Sequence, residues 1–265
     1  AIDEAFVSMN GVDQNGTFAA NFTPKQHTDY FVHVDLSKVH DRCAVALAHV
    51  DKWVAHSEGH LSETYPVVRI DAVRWWKPSK AEPMDYRQVQ DYILSLRKRG
   101  FNLKLVTFDR WQSHDLINYL EAQHIPSEML SVATQHYDDL LQLLYDGRLV
   151  GPKIEELIDE LKELRYVKTA SNALPKVDHP RSGYKDLSDA VTGAIHNAIA
   201  LTAKPQNKTV EIMTYKKLMR QQREQEAERQ QHDDGVIRPP KHRREMPDDL
   251  ASELPNISLD AIKLI

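Results

Sequence analysis

The run YFVHVD at residues 30–35 sets the expectation for the fold. It is rich in β-branched and aromatic side chains, which favour strands, and it ends in an acid, Asp35. A second run of this kind, LKLVTFD at residues 103–109, ends in Asp109. Ligands of α/β sheets bind in the loops beyond the carboxyl ends of the strands. The two acids therefore mark one end of a predicted sheet as a candidate site.

Further predicted strands and helices surround these two runs. The β-rich stretches predict strands at residues 42–50, 67–75 and 128–133, with a loop between the first two. Apolar residues that recur at intervals of three and four predict amphipathic helices around residues 89–96, 113–120, 137–145, 154–164 and 187–199. This order predicts an α/β fold, a mixed β-sheet with helices on both faces.

Composition restricts the class of protein. Apolar residues make up 41% of the 265 residues, which is enough for a globular domain with appendages. The single cysteine, Cys43, excludes an internal disulfide framework. No apolar run approaches the roughly 20 residues that span a bilayer, so no membrane partner is expected. The net charge of -5 argues against a globally basic nucleic-acid binder, although clustered carboxylates can lower the total while Lys and Arg stay locally concentrated.

The chain divides into three predicted segments. Residues 1–27 lack clean periodicity, and the turn signals Asn10-Gly11 and Asn15-Gly16 fit either a hairpin or a lead-in segment or linker from an upstream domain. Residues 28–204 contain the predicted strands and helices and form the predicted globular domain. Residues 205–265 are predicted to be a polar, charged C-terminal extension, helical or disordered, because large apolar side chains are scarce over most of it.

A third acid, Asp189, lies in the first turns of the last predicted helix, three positions after Asp186. This spacing puts both carboxylates on one helix face. Hard cations such as Mg²⁺ take oxygen ligands, and two ions about 4 Å apart can cleave a phosphodiester. Most acids are simply solvated, however, and Asp186 also suits a helix N-terminus. The pattern alone leaves both interpretations open.

Three segments resemble the large terminase subunits of tailed phages and prophages. They are VHVDLS at 32–37, VTFDRWQS at 106–113, and DHP at 178–180 followed by GYKDLSDA at 183–190. The third segment is the most specific, because the family carries His-Pro, a Gly-containing loop and then Lys-Asp-x-x-Asp-Ala at the start of a helix. The likeness runs from about residue 28 to 202, in the family's order and spacing.

The resemblance implies an RNase H-like nuclease domain at residues 28–204, with Asp35, Asp109 and Asp189 as catalytic acids and metal ligands. Asp186 matches the position of an auxiliary metal ligand. The implied activity is cleavage of double-stranded DNA during genome packaging in the host cytoplasm, with two Mg²⁺ or Mn²⁺ ions. The portal and the small terminase subunit are implied partners of the full-length protein. The family's phosphate-binding motif GxxxxGK[ST] does not occur in this sequence, so ATP-driven packaging is not assigned to it.

Basic residues near the acids are candidates for contacts with the DNA backbone: Lys38, Arg42, Arg110, Lys176, Arg181 and Lys185. Ordinary surface charge is the alternative interpretation of each. If these residues bind phosphates, the affinity for DNA should fall steeply with salt. The histidines His33, His114 and His179 are candidates for proton transfer or for support of the metal ligands, with a structural role as the alternative.

Two other functions stay open at this point. A resolvase-type or transposase-type nuclease would share the acid-based chemistry and prefer branched or specific DNA. A non-catalytic RNase H-like module would bind DNA or assemble the packaging motor without cleaving.

Overall fold

The structure is a computed structural model that describes residues 1–37, 42–58, 61–109, 113–167, 175–180 and 183–204, with backbone alone at 56–58 and 61–62. Three candidate residues, Lys38, Arg110 and Arg181, lie outside the described residues, as does the extension predicted at 205–265.

The described residues form six helices and nine strands. The helices are α1 (Ile2–Ala5), α2 (Arg87–Lys98), α3 (His114–Ala122), α4 (Thr134–Tyr145), α5 (Glu155–Glu163) and α6 (Asp186–Leu201). The strands are β1 (Phe6–Val7), β2 (Asp29–Asp35), β3 (Cys43–Glu58), β4 (Leu61–Trp76), β5 (Asn102–Phe108), β6 (Ser127–Met129), β7 (Leu149–Pro152), β8 (Arg165–Val167) and β9 (Lys176–Asp178).

Seven strands form one mixed sheet in the order β1-β7-β4-β3-β2-β5-β6, and β8 and β9 form a separate antiparallel pair. Strand β2 pairs antiparallel with β3 and parallel with β5. Strands β3 and β4 are antiparallel, whereas β5 and β6 are parallel. Because β2 and β5 run in the same direction, their carboxyl ends meet at one end of the sheet.

Alternate residues of the central strands pack on opposite faces, as the pleat requires. Phe31 of β2 joins one core cluster, which contains side chains of α4, α5 and α6. Its neighbour Val32 joins the other cluster, which contains side chains of α2 and α3. The predicted fold class, a mixed sheet with helices on both faces, is therefore confirmed.

The two longest strands extend further than predicted. A loop was expected between residues 50 and 67, but the backbone pairing of β3 with β4 continues from Val50↔Val68 to Glu58↔Leu61. The register shifts between Val50 and Lys52, where two charged residues, Asp51 and Lys52, interrupt the apolar run. A pattern of apolar residues cannot predict this extension, because backbone hydrogen bonds form it.

Short strands account for the other differences. The strand predicted at 128–133 is limited to Ser127–Met129, and β1, β7, β8 and β9 were not predicted. Strand β1 pairs parallel with β7 through Phe6↔Gly151, where a Cβ on Gly151 would lie 2.8 Å from the Phe6 ring. Two residues of the predicted lead-in segment thus belong to the main sheet. The division at residue 27 stays a prediction.

Among α1 to α6, the helices that the structure describes, none is long and apolar enough to cross a membrane.

Candidate metal centre

Asp35 and Asp109 lie side by side at the carboxyl ends of two neighbouring parallel strands. Asp35 is the last residue of β2, and Asp109 directly follows β5. The backbone amide of Asp109 donates a hydrogen bond to the carbonyl of Val34 at 3.1 Å, which continues the β2–β5 pairing by one residue. The sequence prediction that these two acids share one end of the sheet is thus met by the strand pairing.

Helix α6 brings Asp186 and Asp189 to the same end. It crosses β2 at Gly193, where an added Cβ would lie 2.3 Å from ring atoms of His33. Asp189 is four positions before Gly193, on the same helix face, and His33 and Asp35 are on the same face of β2. Helix and strand therefore present Asp189 and Asp35 to a common space.

Three of the four acids are almost fully buried. The exposed fraction is 3% for Asp35, 7% for Asp186 and 5% for Asp189. Burial raises the pKa of Asp189, and the negative charge of Asp109 adds to this rise, while Lys185 and Tyr137 oppose it. A buried carboxylate is costly unless it is paired, so these acids need positive charge or hydrogen-bond donors close by.

The contacts of the acids supply part of that compensation. Asp189 accepts a hydrogen bond from the Tyr137 hydroxyl through Oδ1 at 2.6 Å and pairs with Lys185 Nζ through Oδ2 at 2.8 Å. Asp186 Oδ2 accepts from the Arg42 amide at 3.2 Å. Asp109 Oδ1 accepts from the Val132 amide at 3.4 Å.

The ammonium group of Lys185 lies within the field of several acids. Burial alone would lower its pKa, but Asp189, Asp178 and Asp35 hold the pKa above the ordinary value. A cation is therefore favourable at this position, and Lys185 already provides one. Carboxylate oxygens are the ligands that Mg²⁺ and Mn²⁺ prefer, so the four aspartates fit a hard divalent cation.

The side chains do not form a closed coordination sphere as they stand. In the described part of the chain, no three His, Cys, Asp or Glu side chains are arranged so that they could hold a metal ion. Asp189 is engaged with Lys185 and Tyr137 instead. The assignment of Asp35, Asp109, Asp186 and Asp189 as metal ligands stays a prediction.

Arg42, predicted to contact DNA, is held inside the protein. Its Nη1 pairs with Glu160 Oε1 at 2.8 Å, and its guanidinium lies over the rings of Tyr184 at 4.5 Å and Trp75 at 5.1 Å. Glu160 also accepts backbone hydrogen bonds from α6, and burial raises its pKa to about 7, with Asp186 adding to the rise. The direct contact of Arg42 with DNA stays untested.

Glu160 was missed by sequence reasoning, although a signal was present. It lies among Leu157, Ile158 and Leu161 on the apolar face of α5, and all four are buried. An acid at an apolar position of an amphipathic helix is unusual and requires a partner.

The other basic candidates that the structure describes pair with nearby acids. Lys176 Nζ lies 3.1 Å from Asp178 Oδ2, and Lys185 pairs with Asp189. Their contacts with DNA stay predictions.

The three candidate histidines occupy different surroundings. His33 is fully buried and shares a hydrogen bond of 2.7 Å with Thr107 Oγ1. Burial, together with His136 and His196, lowers the pKa of His33 to about 3, so the ring is neutral and its role is structural. His179 Nδ1 donates to the Pro180 carbonyl at 2.6 Å, and His114 is exposed at the start of α3.

Comparisons of the chain with known proteins identify its fold. No protein family model matches the sequence, and no curated protein matches it. The large terminase nuclease of thermophilic phage G20c, crystallised with bound magnesium, is similar at 19% identity and a TM-score of 0.54, over 74% of this chain and 94% of that one. The same nuclease with bound cobalt gives 18% identity and a TM-score of 0.53, over 74% and 94%.

A second phage provides a similar structure. The large terminase nuclease domain of Thermus phage P74-26 gives 17% identity and a TM-score of 0.54, over 77% of this chain and 97% of that one. At this level of identity the likeness concerns the fold. The chain has the fold of these phage large terminase nuclease domains.

Proposed function

We propose that the chain is a metal-dependent endonuclease that cuts double-stranded DNA during phage genome packaging. One observation carries the proposal: among the residues that the structure describes, buried carboxylates outnumber nearby cations at the end of β2 and β5, in a fold shared with large terminase nucleases. The G20c nuclease was crystallised with magnesium and with cobalt, which supports a divalent cation as the ligand.

Asp35, Asp109 and Asp189 would hold two Mg²⁺ or Mn²⁺ ions, with Asp186 as a fourth ligand. When bound, the ions supply an activated water for attack on phosphorus and neutralise charge at the departing 3′ oxygen. Tyr137 orients the Asp189 carboxylate by donating to Oδ1, so that Oδ2 faces Lys185. Lys185 balances the charge of Asp189, and with a metal ion held by Asp189 it would be available to contact a DNA phosphate.

The remaining partners of the proposed function are predictions. Lys176 and Lys185, with Lys38, Arg110 and Arg181 outside the described residues, would contact the DNA backbone. The portal and the small terminase subunit would be partners of the full-length protein in the host cytoplasm.

A nicking assay on supercoiled plasmid tests the proposal. The protein should nick with Mg²⁺ or Mn²⁺ and not with EDTA. Asp35→Asn should reduce the rate roughly 100- to 1000-fold, because metal ions contribute several kcal/mol of charge stabilisation. The fold and the affinity for DNA should be unchanged.

The matched control is Asp29→Asn, the same substitution at the other end of β2, where Asp29 accepts a hydrogen bond from Asn102 at 2.7 Å. It should cleave at the unaltered rate. Undiminished cleavage by Asp35→Asn with Mg²⁺ present would refute the assignment. Preference for a four-way junction over linear and supercoiled DNA would instead indicate a resolvase.

A further inference from the structure

The first turn of α6 receives a cap from another helix. The first four amides of any α-helix lack partners within the helix. The flanking residue Lys185 provides no side-chain hydrogen bond to these amides. Glu160 of α5 does so instead: its Oε2 accepts from the amides of Leu187 at 2.9 Å and Ser188 at 3.0 Å.

Arg42 holds this cap from the other side. Its Nη1 donates to Glu160 Oε1 at 2.8 Å, so both carboxylate oxygens are engaged. The amide of Arg42 donates to Asp186 Oδ2 at 3.2 Å, and its guanidinium packs on the ring of Tyr184 at 4.5 Å. Arg42 therefore contacts the cap, the first residue of α6 and the loop before it.

The Arg42–Glu160 ion pair is not expected to contribute much to the free energy of unfolding. A buried ion pair loses about as much by desolvation as it gains by attraction, and apolar side chains of similar volume often serve equally well. Glu160 is only 3% exposed and belongs to the apolar face of α5. A role in geometry fits this position, because the pair contacts the first turn of α6, which carries Asp186 and Asp189.

We infer that Glu160 and Arg42 are positioning residues that fix the first turn of α6, so that Asp186 and Asp189 face Asp35, and that Arg42 does not contact DNA phosphate. The inference rests on the proposed function. A misplacement of about 1 Å in a catalytic arrangement can cost roughly 100-fold in rate. Loss of the pair should therefore appear in the chemical step and in the use of metal, not in DNA affinity.

The test uses the full chain and two variants, Arg42→Gln and Glu160→Gln. Each should lower kcat for plasmid nicking at least roughly tenfold and raise the Mn²⁺ concentration needed for half-maximal rate, with KM little changed. Binding to duplex DNA in EDTA should keep both its affinity and its salt dependence. Arg42→Lys retains the charge beside Glu160 and should recover part of kcat.

The salt dependence distinguishes the two roles of Arg42. Loss of one phosphate contact reduces the slope of log affinity against log salt by about 0.9. A reduced slope in Arg42→Gln with kcat unchanged would overturn the inference and restore the phosphate contact. Cleavage by Glu160→Gln at the unaltered rate and Mn²⁺ dependence would overturn it as well.

Lys162→Gln provides the matched control on the same helix. Lys162 forms an exposed ion pair with Asp3 at 2.7 Å, and its loss should leave kcat and Mn²⁺ dependence unchanged. If Glu160→Gln does not fold, Arg42→Gln decides the question. If the unaltered protein fails to nick, the proposed function fails and the inference with it. If the unaltered protein nicks and the variants keep its full activity, the inference alone fails.

Discussion

Buried charged residues cluster at both ends of strands β2 and β3, and the two clusters differ in their ratio of acids to cations. At the carboxyl end of β2 lie Asp35, Asp109, Asp186, Asp189 and Glu160, together with the cations Lys185 and Arg42. At the opposite end lie Asp51, Asp71 and His49, together with Lys25 and Arg69.

The cluster at the opposite end carries its own compensation. His49 Nδ1 lies 2.6 Å from Asp71 Oδ2, and its Nε2 lies 3.7 Å from Asp51 Oδ1. Lys25 Nζ lies 2.9 Å from Asp51, and Arg69 Nε lies 3.8 Å from Asp71. Two acids therefore face two permanent cations and one histidine.

Among the described residues, which do not include Lys38, Arg110 and Arg181, the cluster at the Asp35 end has more acids than cations. Its five acids and two cations give a formal charge of minus three when all are ionised, counted over the described residues. Such an excess within a buried site favours a bound cation. The comparison indicates that burial of acids alone does not mark a function, whereas burial without matching cations does.

The largest expected effect is on the rate of nicking, when the same Asp→Asn substitution is made in each of the two clusters. Asp189 and Asp71 are buried to a similar extent, with exposed fractions of 5% and 6%. Asp189→Asn should reduce plasmid nicking roughly 100- to 1000-fold, because a metal ligand is lost. Asp71→Asn should nick at nearly the unaltered rate per folded molecule. Equal loss in both variants would show that nicking reports only stability.

Divalent cations should stabilise the protein by binding to the cluster at the Asp35 end and not to the cluster at the opposite end. At about a hundredfold excess over Kd, a bound ion adds roughly 2.7 kcal/mol, or a rise in Tm of roughly 5–10 °C. Thermal melts with Mn²⁺ or EDTA should show this rise in the unaltered protein and in Asp71→Asn, and not in Asp189→Asn. An equal Tm of the unaltered protein in Mn²⁺ and in EDTA would contradict a metal centre.

Between the two ends, α6 crosses β2 at Gly193 without room for a side chain. Gly193→Ala would place a Cβ 2.3 Å from ring atoms of His33. Overpacking of this kind costs about 1–3 kcal/mol, more than the gain in helix propensity. Urea denaturation should measure the loss, and the same substitution should cost less in a His33→Ala background. Equal costs in both backgrounds would exclude the contact with His33 as the cause.

The smallest expected effect is the pH dependence of stability that arises from His49, in the cluster at the opposite end. Burial alone would lower the pKa of His49, but the hydrogen bond to Asp71 and the negative charges of Asp71 and Asp51 hold it above its ordinary value of 6.5. The stability from the charged imidazole is complete below 6.5 and is lost as pH rises through the pKa of the folded state. The free energy of unfolding should fall as the pH rises above 6.5, and less so in His49→Gln. An identical pH profile in this variant would contradict the ion pair.

The central part of the fold follows from local patterns. The strand-forming runs at 30–35 and 103–109, and the apolar periodicity of 187–199, correctly predicted β2, β5 and α6. The two-residue strand β1 contains no periodicity, because its pairing with β7 depends on a segment far along the chain. Short edge strands of this kind are defined by their neighbours and not by their own residues.

Part of the candidate site could likewise be predicted from the sequence, and part could not. The position of Asp35, Asp109 and Asp189 at one end of the sheet could be inferred from strand ends and helix phase. The Arg42–Glu160 pair joins residues 118 positions apart, so no local pattern indicates it. An interpretation of Arg42 from charge alone predicted DNA contact, since sequence does not show that a guanidinium is already engaged.

The hydrogen bond from Arg42 to Asp186 also has a consequence for synthesis. Its two residues are 144 positions apart, and chains emerge from the ribosome amino-terminal end first. Contacts between such distant residues form only after the intervening chain is complete. The acids on α6 therefore join Asp35 only near the end of translation of the described residues. A nascent chain that contains β2 and β5 but not α6 lacks two of the four proposed metal ligands, so under the proposed function it would not cut DNA.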